Sequence, residues 1–335
     1  MLGIVYGVLA AASFGFNNAS ARRGVLTGTP IQGLAISMPL GMALFLAAAF
    51  IFGEWSQISR LARQDLLFLT AAGIMHFVWG RYFNIRSLAA VGSNLAGPVQ
   101  QTQLLISLTL AIVFLGETLT PLKIAGILLV VSAPMYILRR QARAKARARS
   151  AGAAAAPAEE PAAIGPAVGE PDIGAAAREA AKPVFKPRMA EGYIYALLAA
   201  LGFGTSPVLI KAGLANTGLS LLGGFVSYAA ACAVVALVLV IPGLLTQVRS
   251  IKPKSLKWFA YSGVGVSFSQ LFRYLALGVA PVTIVQPLQS LSLIFRMIFG
   301  YFINRDHESF DRDVILGIFM SFIGVLCLSL SLGGG

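Results

Sequence analysis

The chain has 335 residues, 57 % hydrophobic and only 12 % charged, with a mean hydropathy of +0.78. A soluble domain carries roughly twice that charged fraction, so a water-soluble fold is excluded, and the absence of short alternating segments excludes a transmembrane β-barrel. The net charge of +13 does not mark a nucleic-acid binder, because the basic residues flank long apolar runs as cytoplasmic loops do.

Those runs are about 20 residues long, enough to cross a hydrocarbon core of about 30 Å as a helix. The first covers 2–21; its length suits a signal peptide, but it lacks a basic leader, and its resemblance to residues 191–211 argues for a retained helix. Further spans are expected at 31–53, 66–87, 94–116 and 122–138. Gly28-Thr29-Pro30, the polar run Glu54 to Asp65 and Glu117 to Pro121 read as turns between them.

Residues 139–190 differ in kind. A basic Arg/Ala block is followed by an Ala/Pro/Gly-rich stretch with no hydrophobic period, the composition of a disordered linker. A second set of spans is expected at 192–211, 219–241, 256–277, 282–304 and 313–333. The fold class is therefore an all-α polytopic membrane protein with ten helices. Its domains are a first five-helix unit over 1–138, the linker over 139–190, and a second five-helix unit over 191–335.

The two units echo one another. Arg81-Tyr82 answers to Arg273-Tyr274, Pro98 to Pro287, Gln100 to Gln289 and Glu117 to Glu308. Gly126 and Gly317 each follow their glutamate by nine residues. Tyr6, Ala10, Phe14, Gly15 and Arg22 match Tyr195, Ala199, Phe203, Gly204 and Lys211 without a gap. An odd number of helices per unit sends the second copy in from the opposite side, which gives inverted repeats. Lys and Arg cluster on the side holding Arg22, Arg23, Arg86, the linker block and Arg249 to Lys257. That side is expected to be cytoplasmic, with both termini outside the cytoplasm.

Two five-helix repeats, each ending in a proline-containing helix, a glutamate turn and a glycine-containing helix, resemble the EamA-like branch of the drug/metabolite transporter superfamily. Pro98, Gly116-Glu117 and Gly126 carry that pattern in the first copy. Pro287, Glu308 and Gly317 carry it in the second, with Asn-Arg-Asp-His where the glycine belongs. The resemblance implies a secondary transporter of the cell inner membrane that works by alternating access. Family members of this size usually keep both termini in the cytoplasm, opposite to the charge count here, and the long basic linker is unusual among them.

Polar side chains inside a membrane are costly and default to functional candidates. Arg81, Arg273 and Arg296 fall inside expected spans, whereas every Asp and Glu falls at a helix end or in the linker. A site rich in arginine and free of carboxylate favours an anionic or zwitterionic substrate over an organic cation. Gln286, Gln289, Leu293 and Arg296 share one helix face, and Arg296 is the most central of the arginines. Gln100, Gln101, Asn17 and Asn18 add amides, and Tyr82 and Tyr274 flank the paired arginines. All of these are expected to contact substrate, with interfacial snorkelling the rival reading for Arg81 and Arg273. Pro98 and Pro287 are expected to kink their helices. His76 lies about 140° around an α-helix from Arg81 and reads as a packed histidine. Glu117 and Glu308 are expected to cap or pin their hairpins.

Cys232 and Cys327 lie in apolar runs and offer neither a metal site nor a disulfide framework. No P-loop is present, and no Ser/His, metal or paired-carboxylate set supports an enzyme. No cofactor is expected. The expected partners are a small-molecule substrate and the lipid bilayer, with a coupling ion and a homodimer left open. Within transport, the alternatives are an exporter of amino acids or drugs, or an exchanger of phosphorylated metabolites. The alternative from another class is a non-transporting accessory subunit that docks a partner through the basic linker.

Overall fold

The computed structural model describes residues 1–91, 102–118 and 188–303, together with scattered positions near 96–100 and 120–143 and residues 323 and 327. Among the described residues there is no strand. The helices are α1 (Leu2–Gly24), α2 (Pro30–Ile51), α3 (Arg63–Val91), α4 (Thr102–Leu115), α5 (Met189–Leu214), α6 (Ser220–Leu239), the short α7 (Leu244–Arg249), α8 (Pro253–Val279), α9 (Val282–Gln289) and α10 (Ser292–Ile303). Six stretches are long and apolar enough to cross a membrane: Leu2–Gly24, Pro30–Ile51, Arg63–Val91, Ala190–Leu214, Ser220–Leu239 and Val282–Ile303. The expected spans at 122–138 and 313–333, the linker, Pro98, Gln101, Glu308 and Gly317 lie wholly or largely outside the described residues.

Local chemistry sets the helix starts. Pro30 opens α2 and Pro253 opens α8, where a missing N–H costs nothing. Gln32 reaches back, and its Oε1 accepts the Thr29 N–H at 2.9 Å. Two helices are interrupted, and only the second interruption, at Pro287, carried a signal in the sequence. The middle of α3, Ile74–Gly80, is π-helical, and the expected span 282–304 is two helices. Pro287 supplies no donor, and the Ser290 and Leu291 amides bond carbonyls only three residues back, at 3.0 and 3.1 Å. The ladder breaks there, as a proline within a helix predicts.

Packing crosses between the two halves of the chain. The helix α1 lies on α8 and α10, while α5 lies on α3 and α4; α2 packs on α6. Close approach needs glycine at matching places. A Cβ on Gly15 of α1 would stand 2.7 Å from the Arg296 amide nitrogen of α10, and one on Gly204 of α5 would stand 2.7 Å from the Gln103 carbonyl of α4. The interior is aromatic: the Phe77 and Tyr228 rings stack at 3.9 Å, and Phe45 meets Tyr228 at 5.4 Å and Tyr274 at 5.5 Å.

Two carboxylates tie the halves together at helix N-termini. Glu54 Oε2 accepts the Leu221 and Leu222 amides of α6 at 2.9 and 2.8 Å. Half-burial raises the Glu54 carboxyl above its ordinary range, while the two amide donors oppose that shift. Glu117 takes the Val282 and Thr283 amides of α9, both at 2.8 Å. It therefore caps a distant helix in the second half. Lys211 grips the other side of the same corner, donating to the Leu277 and Ala280 carbonyls at the end of α8. Glu117→Ala should leave two amides of α9 without a partner. The expected loss is about 1–2 kcal/mol of stability, read as a lower thermal unfolding midpoint of the purified protein. An unchanged midpoint would mean that water replaces the cap at no cost.

Candidate functional site

Two polar centres occupy the interior, and they differ in how well their demands are met. The first surrounds Arg81, which is only 2 % exposed. Its Nε donates to Ser37 Oγ of α2, its Nη1 to Asn17 Oδ1 of α1 and its Nη2 to Ser262 Oγ of α8, each at 3.1 Å. Ser262 also donates to Asn17 at 2.7 Å, and Ser37 to the Gly33 carbonyl at 2.6 Å. Every nitrogen of this guanidinium is engaged by protein, across four helices. Beside it runs an amide chain in which Gln100 donates to Asn84 at 2.7 Å and Asn84 to Asn18 at 3.2 Å.

The second centre surrounds Arg273 of α8, which is 3 % exposed. Here Nη1 donates to His76 Nδ1 at 2.9 Å, with weaker approaches to Gln270 Oε1 at 3.4 Å and, through Nη2, to the Phe203 carbonyl at 3.5 Å. Its Nε is buried without a partner. So are Gln286 Oε1 and Gln289 Nε2 of α9. These groups line one small cavity together with Phe14, Gln103 and Phe203. Its volume of about 10 Å³ is close to the minimum for one water, so the lining side chains fill most of the space.

Arginine has no acceptor, so His76 Nδ1 must accept and its Nε2 must carry the ring proton. Yet the Gln270 amide nitrogen lies 2.8 Å from that same Nε2, so two N–H groups face each other. Turning the amide over satisfies His76 but points its NH2 at Arg273. Either way the cluster holds more donors than acceptors. Among the described residues no carboxylate relieves it: Glu54, Asp65, Glu117 and Glu191 all sit at helix ends or in turns. A buried donor left unmade costs about 1–3 kcal/mol. What such a cavity lacks is an acceptor-only group.

Against this geometry the expected site residues divide. Arg273, Gln286 and Gln289 meet at the cavity. Arg81, Asn17, Asn18 and Gln100 belong to the networks around the first centre, where the guanidinium is fully engaged and Asn17 Nδ2 is the atom left without a partner. Tyr274 is buried among aromatic rings, and Tyr82 accepts from Arg86 at 3.0 Å at the C-terminal end of α3. Arg296 is buried in α10 beside Gly15 and does not line the cavity. Burial of Arg81 and Arg273 with interior partners leaves no room for snorkelling. The sequence reading did not single out Gln270, took His76 for a packed histidine and ranked Gln103 below its neighbour Gln100, yet all three line this cavity. The signal for His76 was its depth in an apolar run, but an α-helical phase turned it away from its arginine neighbour. The segment that holds His76 is π-helical, and such turns recur at functional sites; its arginine partner, Arg273, comes from α8.

A family model, the EamA-like transporter family, matches residues 1–139 and 190–330. The chain belongs to the EamA-like transporter family. Its members are transporters and not enzymes, and the protein is a multi-pass membrane protein of that kind. A solved structure titled "Crystal structure of protein" aligns with 98 % of this chain and 96 % of its own, at a TM-score of 0.65 and 16 % identity. At that identity the likeness shows the fold alone. A comparison with curated proteins returns no match.

Proposed function

We propose that this EamA-like protein is a secondary transporter that carries a small anionic or zwitterionic metabolite across the inner membrane by alternating access. The observation that carries the reading is the unmet donor on Arg273 in a small cavity with no carboxylate among the described residues. A carboxylate or phosphate there would accept from Nε and Nη together, a bidentate fit that an organic cation cannot make. Gln289 Nε2 adds a third donor. Gln286 Oε1 offers an acceptor, which suits the ammonium of a zwitterion.

The reciprocal packing of α1 on α8 and α5 on α3 supports two inverted units around this centre. The linker is proposed to be cytoplasmic. A cysteine placed at Ala155 should therefore resist an impermeant maleimide added to intact cells, and strong labelling from outside would reverse the orientation.

The function is tested by thermal shift on the purified protein with matched panels of carboxylates, phosphates, amino acids and organic amines. Stabilisation should be confined to ligands with an anionic group, and uptake of the best of them into proteoliposomes should saturate. Stabilisation by amines alone would remove the anion reading. Stabilisation without any uptake would favour the accessory-subunit alternative.

A further inference from the structure

We infer that His76 is the proton-carrying residue of this transporter and that one proton moves with each substrate anion. The inference rests on the anion reading above and adds its coupling.

Arg273 Nη1 lies 2.9 Å from His76 Nδ1 and 3.4 Å from Nε2. An imidazole that accepts from the guanidinium at Nδ1 is the neutral ring. The titratable and charged groups that face it are Arg273 of α8 and, farther off, Arg81 of its own helix. Gln103 of α4, Gln270 of α8, and Gln286 and Gln289 of α9 are neutral. Phe14 of α1 and Phe203 of α5 close the remaining sides, the Phe203 ring centroid lying 4.7 Å from that of His76. Two cations and, among the described residues, no anion thus face the ring.

An anion entering the cavity changes both conditions. It takes the Arg273 donors, so His76 Nδ1 loses the hydrogen bond that occupied its lone pair. It also places a negative charge beside that nitrogen. A proton from the aqueous side then forms an N–H bond at Nδ1, and the imidazolium donates to the anion. Loading then leaves the charge of the site unchanged. An empty site carries the one charge of Arg273. With a monoanion and a proton bound it still carries one, so loading buries no additional net charge. Removing charge from water is the costly part of any passage through a membrane interior.

Binding linkage makes the effect reciprocal: whatever factor the proton adds to anion affinity, the anion adds to proton affinity. Neutral imidazole and imidazolium exchange in the physiological range when their surroundings allow it. Histidine can therefore couple to a pH gradient where the carboxylates at helix ends cannot.

The test uses the full chain in liposomes that enclose a pH-reporting dye, with inward gradients of inorganic phosphate, glutamate or gluconate. The expected result is entry of at least one anion with acidification of the lumen, about one proton per monoanion, insensitive to a clamped membrane potential. Affinity should be about tenfold or more tighter near pH 6 than near pH 8. In His76→Gln, any anion entry that remains should no longer acidify the lumen and should lose that pH dependence. Wild-type entry without acidification, or acidification that survives His76→Gln, overturns the coupling and leaves the anion reading standing. Entry of none of the anions overturns both.

A ligand-free arm guards against a variant that fails to fold. With His307→Gln, His76 becomes the one histidine signal of a nitrogen-labelled protein. That signal should report an accepting Nδ1 in the parent. In Arg273→Gln it should shift to the doubly protonated ring near pH 6, with Arg273→Lys between the two. An identical signal in all three would show that Arg273 does not hold His76 neutral.

Discussion

Arg273→Gln is expected to lower affinity for an anionic substrate by about ten- to a hundredfold while leaving the protein folded and at least as heat-stable. Each charge-assisted hydrogen bond lost is worth about 1.5–3 kcal/mol, and a factor of ten is about 1.4 kcal/mol. The stability half of the prediction follows from what Arg273 lacks. Its guanidinium is buried with no carboxylate on it and with Nε unpartnered. Removing it takes away a desolvated charge that the protein alone does not compensate. A residue that weakens the fold and strengthens binding is the pattern of a functional group. Arg273→Lys should keep the charge and lose the fork, and so fall between wild type and glutamine. Arg296→Gln should change affinity by no more than about threefold, because Arg296 does not line the cavity. That order is the reverse of the one the sequence suggests. Titration of the three variants with the best ligand from the thermal-shift panel decides it. Normal binding by Arg273→Gln, or a larger loss in Arg296→Gln, would place the site elsewhere.

Gly41→Val should be among the most damaging single substitutions in the described part of the chain, costing about 3 kcal/mol or more. A Cβ at Gly41 of α2 would stand 2.1 Å from Cε1 of Tyr228 on α6. That ring has nowhere to go. It is fully buried, stacked on Phe77 at 3.9 Å and held against Phe45 at 5.4 Å. The facing contact is equally tight, since a Cβ on Gly224 of α6 would lie 2.0 Å from the Phe45 ring. Relief requires α2 and α6 to separate. Ser37 sits one turn from Gly41 on α2 and holds Arg81 Nε, so the separation would also strain the Arg81 network. Leu40→Val, at the neighbouring and partly exposed position, is the control and should cost well under 1 kcal/mol. Detergent-solubilised yield and unfolding midpoint are the measurements. Near-normal values for Gly41→Val would mean that the two helices have slack absent from this packing.

The class of the protein was settled by composition, because apolar stretches of membrane-spanning length have no other stable solution. The paired signatures around Arg81 and Arg273, and around Gly15 and Gly204, were also legible, and the two glycines make matching close approaches to Arg296 and Gln103. The family followed from them. Individual roles were not legible in the same way. Arg81 and Arg273 look alike in the sequence, yet one has all its nitrogens engaged by Asn17, Ser37 and Ser262, while the other is left with a free Nε beside His76. That difference depends on which serines, amides and rings four other helices bring within 3 Å, and no periodicity along one helix encodes it. The role of His76 was hidden for a related reason: its arginine partner, Arg273, comes from α8, and the π-helical segment that holds it has no residue pattern of its own. Arg296 looked central because a straight helix would centre it, but the break after Pro287 sets α10 apart from α9. Glu117 carried the signal of a cap, and only the fold decided that the helix it caps begins 165 residues later. Local sequence determines what each side chain can do, and tertiary packing decides which of those demands remain unmet and so available to a ligand.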